Sequence, residues 1–412
     1  MNVIGIDFGT TNTVLAATDA GGDAVVLPVN FENAPMDAIR TALAFQRANV
    51  AEPLCEAGPW AINMFVEAPE DTRFLQSFKS FAASAAFIDT AIFAKRFRFE
   101  DLLQRFIAKA ASHASANPLP RTLVIGRPVT FAGSNPDEAL AHRRYAAAFA
   151  NLGFEQVHFV LEPVAAAFFY AQRLTKASTI LVGDFGGGTS DFSIMRFEPG
   201  GHAEALGHSG IGIAGDTFDY RIIDAVVSPH LGKHAVYKSW DKELEIPRHY
   251  FTSFSRWNEL CLMNRPSVIN ALQQLADASP QRAQLQAFID LIEGGMSYGL
   301  YQAIARAKAS LSQNQTTDFR FKVSNIDIDA RISRQDFEGW IAADLNKIAK
   351  CVDQAIENAK LSPDQIDRVF LTGGSSYVPA VRQLFVERFG MPKIETGDQL
   401  LSIAKGLALI GA

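Results

Sequence analysis

Apolar stretches alternate with short polar turns along this chain, and their spacing predicts alternating strands and helices. Val3–Phe8 is apolar apart from Asp7, a Gly-Thr-Thr-Asn turn follows, and residues 13–17 are mostly apolar again. Short apolar runs bounded by turn residues are typical of buried strands. The chain is therefore predicted to begin with a strand, a tight turn and a second strand.

The same layout occurs again near the middle of the chain. GIDFGTTNT at 5–13 aligns with GDFGGGTSD at 183–191, with Asp7 opposite Asp184. An internal repeat of this kind indicates units of similar structure. We therefore predict a duplicated fold with two lobes.

Helical patterns separate and follow these strands. Residues 136–151 are rich in alanine, and a second helix is predicted over 164–174, after Pro163 at a favourable first position. Residues 368–372 read as a strand and 378–389 as a helix. Alternation of strands and helices predicts the α/β class.

Ser333 and Asp336 have the spacing of an acidic capping box, which predicts a long helix running toward Lys360 with a break at Gly339. The remaining stretches, 41–117 and 218–327, are predicted to be edge subdomains. The predicted division is lobe I at 1–176 (core 1–40 and 118–176, edge 41–117, with 390–412 returning to it) and lobe II at 177–389 (core 177–217 and 328–389, edge 218–327).

Charge and composition exclude several classes of protein. The chain has 412 residues, a formal net charge of −6 and a pI of about 5.8. General nucleic-acid and membrane-surface binders usually carry a basic excess, so neither partner is expected. No signal peptide or membrane span is predicted. Cys55, Cys261 and Cys351 lack disulfide or metal-site spacing, and a reduced, cytoplasmic location is expected.

The first turn has the chemistry of a phosphate loop. Gly9 lets the backbone approach an anion, and Thr10, Thr11 and Asn12 add polar donors to the N–H groups of the turn. Asp7 would repel a phosphate directly. It is explained if Mg²⁺ or its water shell lies between the two.

The second turn repeats this chemistry with more glycine. It comprises Asp184, Phe185, Gly186, Gly187, Gly188, Thr189, Ser190 and Asp191. A glycine-rich hairpin with solvated carboxylates is the alternative for either loop alone. The repetition of an acid at the end of a strand in both loops favours phosphate and magnesium.

A third loop of small residues follows the strand at 368–372. It comprises Gly373, Gly374, Ser375, Ser376 and Tyr377. Small residues between a strand and a helix suit a nucleoside lying across the backbone, although a plain strand-to-helix turn is the alternative.

Residues 210–215 also fit the pattern GxGxxG, and a helix is predicted to follow at Gly215. A dinucleotide site would need a βαβ crossover and an acid about 20 residues further on. Asp224 and Asp241 have no acidic residue between them, and the segment follows a hairpin. A helix N-terminus pointing toward the phosphate loops is the preferred interpretation.

Taken in order, the three loops resemble those of the actin, heat-shock and sugar-kinase superfamily, which has a ribonuclease H-like α/β fold. Further segments are similar to the DnaK-type heat-shock protein 70 family. They are LEPVAAA at 161–167, ARAKASLS at 305–312, ISRQDFE at 332–338, and the stretch from Ala359 to Gly374. The resemblance spans nearly the whole chain and is weakest over 41–117.

The resemblance implies a site for ATP or ADP with Mg²⁺. Asp7, Asp184 and Asp191 would arrange the metal and its waters. Thr10, Thr11 and the Gly186–Thr189 loop would hold the phosphates, with Thr189 among the catalytic residues. Glu162 and Asp184 would orient the attacking water, and Lys79 is the candidate for contact with the γ-phosphate.

At the nucleoside end, the resemblance implies contacts from Lys308, Ser312 and the Gly373–Ser375 loop, while Pro128 occupies the place of the family's switch proline. Three positions depart from the family pattern: Ala305 replaces a glutamate, Ala309 a basic residue, and Tyr377 an arginine. Weaker ATP binding or looser base selectivity is therefore expected.

The sequence ends at Ala412 without the family's acidic linker and peptide-binding domain, as in short YegD-type members. The expected function is a slow chaperone-type ATPase module that acts on a protein client or through a co-chaperone in trans. The alternatives are an actin-like assembly protein, a small-molecule kinase or exopolyphosphatase, and a form that binds nucleotide without turnover.

Overall fold

The structure of the protein is a computed structural model. It describes residues 3–48, 52–114, 121–129, 131, 135–172, 176–198, 203–255, 263–294, 296–395 and 401–412. Leu174, at the end of a predicted helix, and Cys261 lie outside the described residues.

The chain divides into two compact units. Unit 1 contains Met1–Ala214, Lys347–Ser376 and Val381–Ala412, and unit 2 contains Gly215–Asn346 and Tyr377–Ala380. Both core sheets described below belong to unit 1. The lobe boundaries predicted from the sequence stay a prediction.

The strands of the described residues are numbered in chain order. They are β1 (Val3–Phe8), β2 (Asn12–Thr18), β3 (Ala24–Val26), β4 (Val29–Phe31), β5 (Ala34–Met36), β6 (Ile39–Arg40), β7 (Ala42–Gln46), β8 (Leu54–Ala57), β9 (Thr72–Gln76), β10 (Thr90–Ile92), β11 (Lys95–Phe97), β12 (Thr122–Arg127), β13 (Gln156–Leu161), β14 (Ser178–Phe185), β15 (Ser190–Phe197), β16 (Ala203–Ile211), β17 (Val236–Ser239), β18 (Lys242–Glu245), β19 (Thr316–Val323), β20 (Ile326–Ser333), β21 (Arg368–Thr372) and β22 (Ile394–Glu395).

The α-helices are α1 (Gly58–Glu67), α2 (Phe99–His113), α3 (Glu138–Ala150), α4 (Glu162–Ala171), α5 (Gly215–Ile222) and α6 (His249–Thr252), followed by Pro266–Asp277, Arg282–Glu293, Ser297–Gln313, Arg334–Asn358, Pro379–Phe389 and Ser402–Ile410. Short 3₁₀ helices include Phe78–Phe81 and Gly374–Tyr377, and Ile223–Val227 is a π-helical turn.

The two core sheets have the same topology, which confirms the duplicated α/β fold. The first has the order β13-β12-β1-β2-β3 and the second β16-β15-β14-β21-β22. In each, three strands form an antiparallel meander, and two further strands add in parallel beside the first strand of the meander. The repeated sequence motif forms the first hairpin of each sheet.

Helix α4 and the helix Ser402–Ile410 pack against each other and join the core of unit 1. One apolar cluster contains Ala166 of α4, Val182 of the second sheet, Val124 of the first sheet and Leu407. The rings of Tyr170 and Phe370 stack at 3.8 Å in the same region. Glu162, the first residue of α4, is thereby fixed relative to both sheets.

Unit 2 contains two hairpins, β17–β18 and β19–β20. It also contains the helices α5, α6, Pro266–Asp277, Arg282–Glu293 and Ser297–Gln313. Its buried residues include Phe218, Phe288 and Leu300. Arg221 forms a bidentate pair with the buried Asp344, with Nε 2.7 Å from Oδ2 and Nη2 3.1 Å from Oδ1.

The sequence located most core elements, and the differences have physical reasons. The predicted strand at 368–372 and the helices near 136–151 and 378–389 are present. The predicted break at Gly339 is wrong, because Arg334–Asn358 is one continuous helix. Gly339 is exposed and has no neighbour that would distort the helix, so only its intrinsic propensity opposes helix formation. Ser333 caps this helix, accepting a hydrogen bond from the Asp336 N–H at 3.0 Å.

Gly406→Ala is expected to destabilise the protein because helix Ser402–Ile410 approaches α4 too closely for a side chain. A Cβ on Gly406 would lie 1.8 Å from the carbonyl oxygen of Ala165. Overpacking of this kind costs roughly 1–3 kcal/mol or more, because backbone atoms must move. The measurement is thermal and urea unfolding of the purified variant.

Gly339→Ala is the matched control, because a Cβ there meets nothing within 4 Å. It should raise the free energy of unfolding by about 0.5–1 kcal/mol through helix propensity alone. Equal effects of the two substitutions would contradict the close packing of the two helices.

Candidate functional site

Acidic residues lie at the ends of the two equivalent hairpins. Asp7 is on β1, and Asp184 and Asp191 face each other as partners on β14 and β15. Asp184 is only 6% exposed and Asp191 only 1%. Carboxylates this deeply buried need compensating charge or hydrogen bonds.

A buried ion pair lies beside these acids. Lys79 Nζ is 2.7 Å from Glu162 Oε1, and both residues are almost fully buried. Lys79 lies on the 3₁₀ helix Phe78–Phe81, and Glu162 begins α4. Gly126 of β12 leaves room for Glu162, because a Cβ there would lie 3.0 Å from Glu162 Cγ.

Aromatic rings fix the segments that carry Asp7 and Lys79. Phe8, next to Asp7, packs against Phe78, next to Lys79, with ring centroids 5.5 Å apart. The Lys79 ammonium lies 6.0 Å from the Phe8 ring centroid. Tyr145 of α3 packs edge-on against Phe8 at 6.1 Å. This packing places the side chains of Asp7 and Lys79 relative to each other.

The site has an excess of negative charge. Asp7 as a whole residue is partly exposed, but the burial around its carboxyl group is the largest effect on its pKa, which is raised to about 7. Repulsion from Glu162 raises this pKa further, and attraction to Lys79 opposes the rise. Burial raises the pKa of Asp184 well above its ordinary value, with added repulsion from Glu162, Asp7 and Asp191. Burial is the largest single effect on the Lys79 pKa and lowers it, but Glu162, Tyr145 and Asp7 together outweigh burial and keep the lysine pKa raised. A cation at this site would relieve the repulsion.

The first loop is braced by Thr41, a buried residue between β6 and β7. Its hydroxyl donates to the Gly9 carbonyl at 2.7 Å, and its N–H donates to the Thr11 carbonyl at 2.9 Å. Since a hydroxyl has a single hydrogen, Thr13 must donate the 2.9 Å bond that joins the two threonine hydroxyls. The Thr41 carbonyl accepts from the Ser77 N–H at 3.3 Å, which links the loop to the Lys79 segment.

Glycine is required in the first loop by close backbone approach, since a Cβ on Gly9 would lie 2.3 Å from the Asn12 carbonyl oxygen. Thr10 and Thr11 are partly exposed in this turn. In the second loop, the Gly186 N–H donates to the Thr189 carbonyl at 2.9 Å.

The second and third loops are in contact within unit 1. Gly373 has φ +84°, and a Cβ there would lie 2.1 Å from the Phe185 carbonyl oxygen. Gly186 and Gly374 are exposed, Gly187 is buried, and Gly188 is partly exposed. Ser375 is buried, and Ser376 donates to the Gly373 carbonyl at 2.7 Å.

The other predicted ligand-contacting residues, Gly215 for the phosphates and Lys308, Ser312 and Tyr377 for the nucleoside, belong to unit 2. Gly215 begins α5, and Lys308 donates to its carbonyl at 3.1 Å. Lys308 also lies 2.9 Å from Asp219 Oδ1. Ser312 donates to the Lys308 carbonyl one turn later, and Tyr377 is 53% exposed. Ala305 and Ala309 lie on the same helix, Ser297–Gln313.

Thr41 and Asp219 were missed by the sequence reasoning. Neither lies in a recognisable motif, and each acts through a contact with a residue of the motifs. Asp219 is four residues after Gly215 in α5, and residues with this spacing lie on the same face of a helix. This spacing is the only feature of the sequence that could have pointed to Asp219.

The donor set fits magnesium that keeps most of its water. Among the described residues, no three acidic, histidine or cysteine side chains are arranged to hold a metal ion directly. Mg²⁺ typically binds through one or two carboxylates, several waters and substrate phosphates rather than a protein cage. Buried Asp184 with its raised pKa, beside Asp7 and Asp191, matches that requirement.

Asp7 makes the stability of the metal-free protein depend on pH. Because its pKa is about 7 in the folded state and 3.8 ordinarily, the folded protein holds a proton that the unfolded chain has lost between these values. Stability therefore falls as the pH rises through this range. The unfolding free energy of the wild type should fall relative to that of Asp7→Asn, as measured by urea denaturation in EDTA across the range.

Asp329→Asn, at an exposed strand position, is the control. Its unfolding free energy should change with pH in the same way as that of the wild type. A difference between the wild type and Asp7→Asn that does not change with pH would contradict the raised pKa.

Thr41→Val should destabilise the first loop. It keeps the shape of the side chain but leaves the Gly9 carbonyl and the Thr13 hydroxyl without their partner. An unsatisfied buried polar group costs about 1–3 kcal/mol. Urea unfolding measures the loss. Thr41→Ser retains the hydroxyl and should be the more stable variant, whereas a Thr41→Val protein as stable as the wild type would show that the brace is unimportant.

A family model described as Hsp70 protein matches residues 134–244 and 274–412, more than half of the chain. The chain is 25% identical to the Chaperone protein DnaK of Trichormus variabilis over 99% of its own length and 54% of that protein. It is also 25% identical to the Chaperone protein DnaK of Deinococcus radiodurans, over 98% of this chain and 58% of the relative.

A plant relative shows a similar identity and coverage. The Heat shock 70 kDa protein 7, chloroplastic, of Arabidopsis thaliana is 25% identical over 93% of this chain and 48% of the relative. The chain therefore spans about half the length of these curated relatives. Among the described residues, no helix is both long and apolar enough to cross a bilayer.

Proposed function

This chain belongs to the Hsp70 family, and we propose that it is a chaperone-type ATPase module that binds Mg²⁺ and ATP and hydrolyses the terminal phosphate slowly. The observation that carries the proposal is the buried pair of Lys79 and Glu162 beside the buried acid Asp184. Positioning and charge neutralisation supply most of the catalysis in phosphoryl transfer.

The phosphate-binding residues would act through short-range hydrogen bonds. The N–H groups of the first and second loops, with the hydroxyls of Thr10, Thr11 and Thr189, would hold the β- and γ-phosphates. The ammonium of Lys79, which now contacts Glu162, would be shared with a γ-phosphate oxygen. Bound Mg²⁺ would neutralise phosphate charge, with Asp7, Asp184 and Asp191 holding its waters.

The attacking water would be oriented by carboxylates. Glu162 is held by its 2.7 Å contact with the Lys79 ammonium and would accept a hydrogen bond from the water. Asp184 lies within electrostatic reach of Glu162 and would accept a hydrogen bond from the second O–H group of the same water. The nucleoside is proposed to contact Lys308, Ser312 and the Gly373–Tyr377 loop.

Partners and location are proposed from the family. The relatives are named as chaperones, and a protein client or co-chaperone acting in trans would use the nucleotide cycle. A cytoplasmic location is proposed, and the free thiols of Cys55 and Cys351 suit a reducing compartment.

The test is calorimetric titration of ATP and ADP into nucleotide-stripped protein with and without Mg²⁺, followed by single-turnover hydrolysis. We expect magnesium-dependent binding and slow turnover. Asp184→Asn and Lys79→Met should each lower the hydrolysis rate by roughly 100-fold, as removal of one charge-stabilising group does in other enzymes. Asp329→Asn, on the β19–β20 hairpin, should leave it unchanged.

Other outcomes distinguish the alternatives. Failure to bind either nucleotide would overturn the proposal. Binding without turnover would retain only the binding role. ATP-dependent sedimentation would favour an actin-like assembly protein, and transfer of the phosphate to an added small molecule would favour a kinase.

A further inference from the structure

A buried arginine of α3 gathers the backbone carbonyls of the segment that follows Lys79. Arg144 Nη1 donates to the carbonyls of Phe81, Ala82 and Ser84 at 2.8, 3.0 and 3.1 Å, and Nη2 donates to that of Phe87. Arg144 is only 9% exposed. We propose that Arg144 is a positioning residue, which holds the Lys79 ammonium in place for the terminal phosphate.

The segment needs such a donor because it lacks regular structure. After the 3₁₀ helix Phe78–Phe81, residues 82–89 form neither helix nor strand. The Phe81 and Ser84 carbonyls accept turn N–H groups at 3.1 and 3.2 Å as well as Arg144, and Arg144 supplies the donors for the Ala82 and Phe87 carbonyls. Buried carbonyls without partners are costly. The planar guanidinium has five donors in a fixed fork and satisfies several carbonyls at once.

A direct chain of hydrogen bonds leads from Arg144 to Lys79. The Ala82 N–H donates to the Lys79 carbonyl at 3.0 Å, and the Ala82 carbonyl accepts from Arg144. On the other side of Lys79, the Ser77 N–H is held by the Thr41 carbonyl. Ser77 has φ +53°, a left-handed conformation that requires support from its surroundings. Lys79 is therefore fixed from both directions.

Helix α3 is well placed to act as the support. Asp137 caps it, accepting from the Leu140 N–H at 2.8 Å, and the Asp137 N–H donates to the Ala83 carbonyl at 2.9 Å. The next residue after Arg144, Tyr145, packs on Phe8 beside Asp7. One helix thus contacts the segments of both Lys79 and Asp7, and a shift in α3 would move both.

The inference rests on the proposed function, so its test needs a measurement that does not require hydrolysis. Arg144→Lys keeps the positive charge but loses the fork, and Arg143→Lys at the exposed neighbouring position is the control. Hydrogen exchange of the nucleotide-free protein would follow the amides of Ser80, Ala82, Ser84 and Phe87, each hydrogen-bonded within the segment. Arg144→Lys should raise their exchange rates about 10-fold or more through local opening.

The second measurement is a double-mutant cycle on single-turnover hydrolysis. Arg144→Lys should slow hydrolysis by about 10- to 100-fold, because small displacements of a catalytic group have effects of this size. In a Lys79→Met background the same substitution should cause little further loss, since the two residues act through one group. Arg143→Lys should have no effect in either background.

The outcomes separate the two proposals. Unchanged exchange in Arg144→Lys, or a rate loss that is equally large with and without Lys79, would overturn the positioning role. If the wild type fails to hydrolyse ATP while Arg144→Lys still loosens residues 80–87, the proposed function is wrong but the brace on the Lys79 segment stands. A thermal midpoint for Arg144→Lys within a few degrees of wild type would confirm that the folded states are comparable.

Discussion

A lysine ammonium and a carboxylate lose their hydration when both are buried, and only close contact with each other compensates for that loss. Lys79 and Glu162 meet this condition at 2.7 Å, with Asp7 and Asp184 within electrostatic reach. Removal of Lys79 would leave the buried Glu162 carboxylate without its ammonium partner. The surrounding fold must therefore hold four segments in register: the β1 hairpin, the 3₁₀ helix of Lys79, the start of α4, and the β14 hairpin.

Duplication supplies two of these segments, and helix packing supplies the others. The same meander topology places an acid at the end of the first strand in both sheets. Helix α4 is locked against the helix Ser402–Ile410 by a contact at Gly406 that leaves no space for a Cβ. Phe8 and Phe78 then link the Asp7 strand to the Lys79 segment. Each constraint acts on backbone near a charged side chain, so a small packing change would alter the charge geometry.

The sequence predicted the parts of this arrangement that are local. Glycines and acids at fixed spacing located both hairpins, and the repeat indicated the duplicated sheet. The contact of Lys79 with Glu162 was not predicted, because the two residues are 83 positions apart and the family resemblance assigned each of them a separate role. Thr41 and Arg144 carry no motif at all. Their roles depend on which backbone carbonyls they contact in the folded chain. Any residue can supply such a carbonyl, so the identity of the partner residue gives no signal in the sequence. The prediction of a break at Gly339 was wrong for a different reason. Helix formation is cooperative, so the neighbouring turns of a long helix outweigh the low helix propensity of one glycine.

Charge balance connects the site to the ligand proposed for it. Four carboxylates, Asp7, Glu162, Asp184 and Asp191, share one ammonium, and burial together with mutual repulsion raises the pKa of Asp7 and of Asp184. A phosphate entering alone would add to this repulsion. A divalent cation entering with it would offset much of this negative charge. If the proposed ligand is correct, the cation and the anion would therefore favour each other's binding, and the acids that repel one another in the metal-free protein would favour a metal-bound polyphosphate.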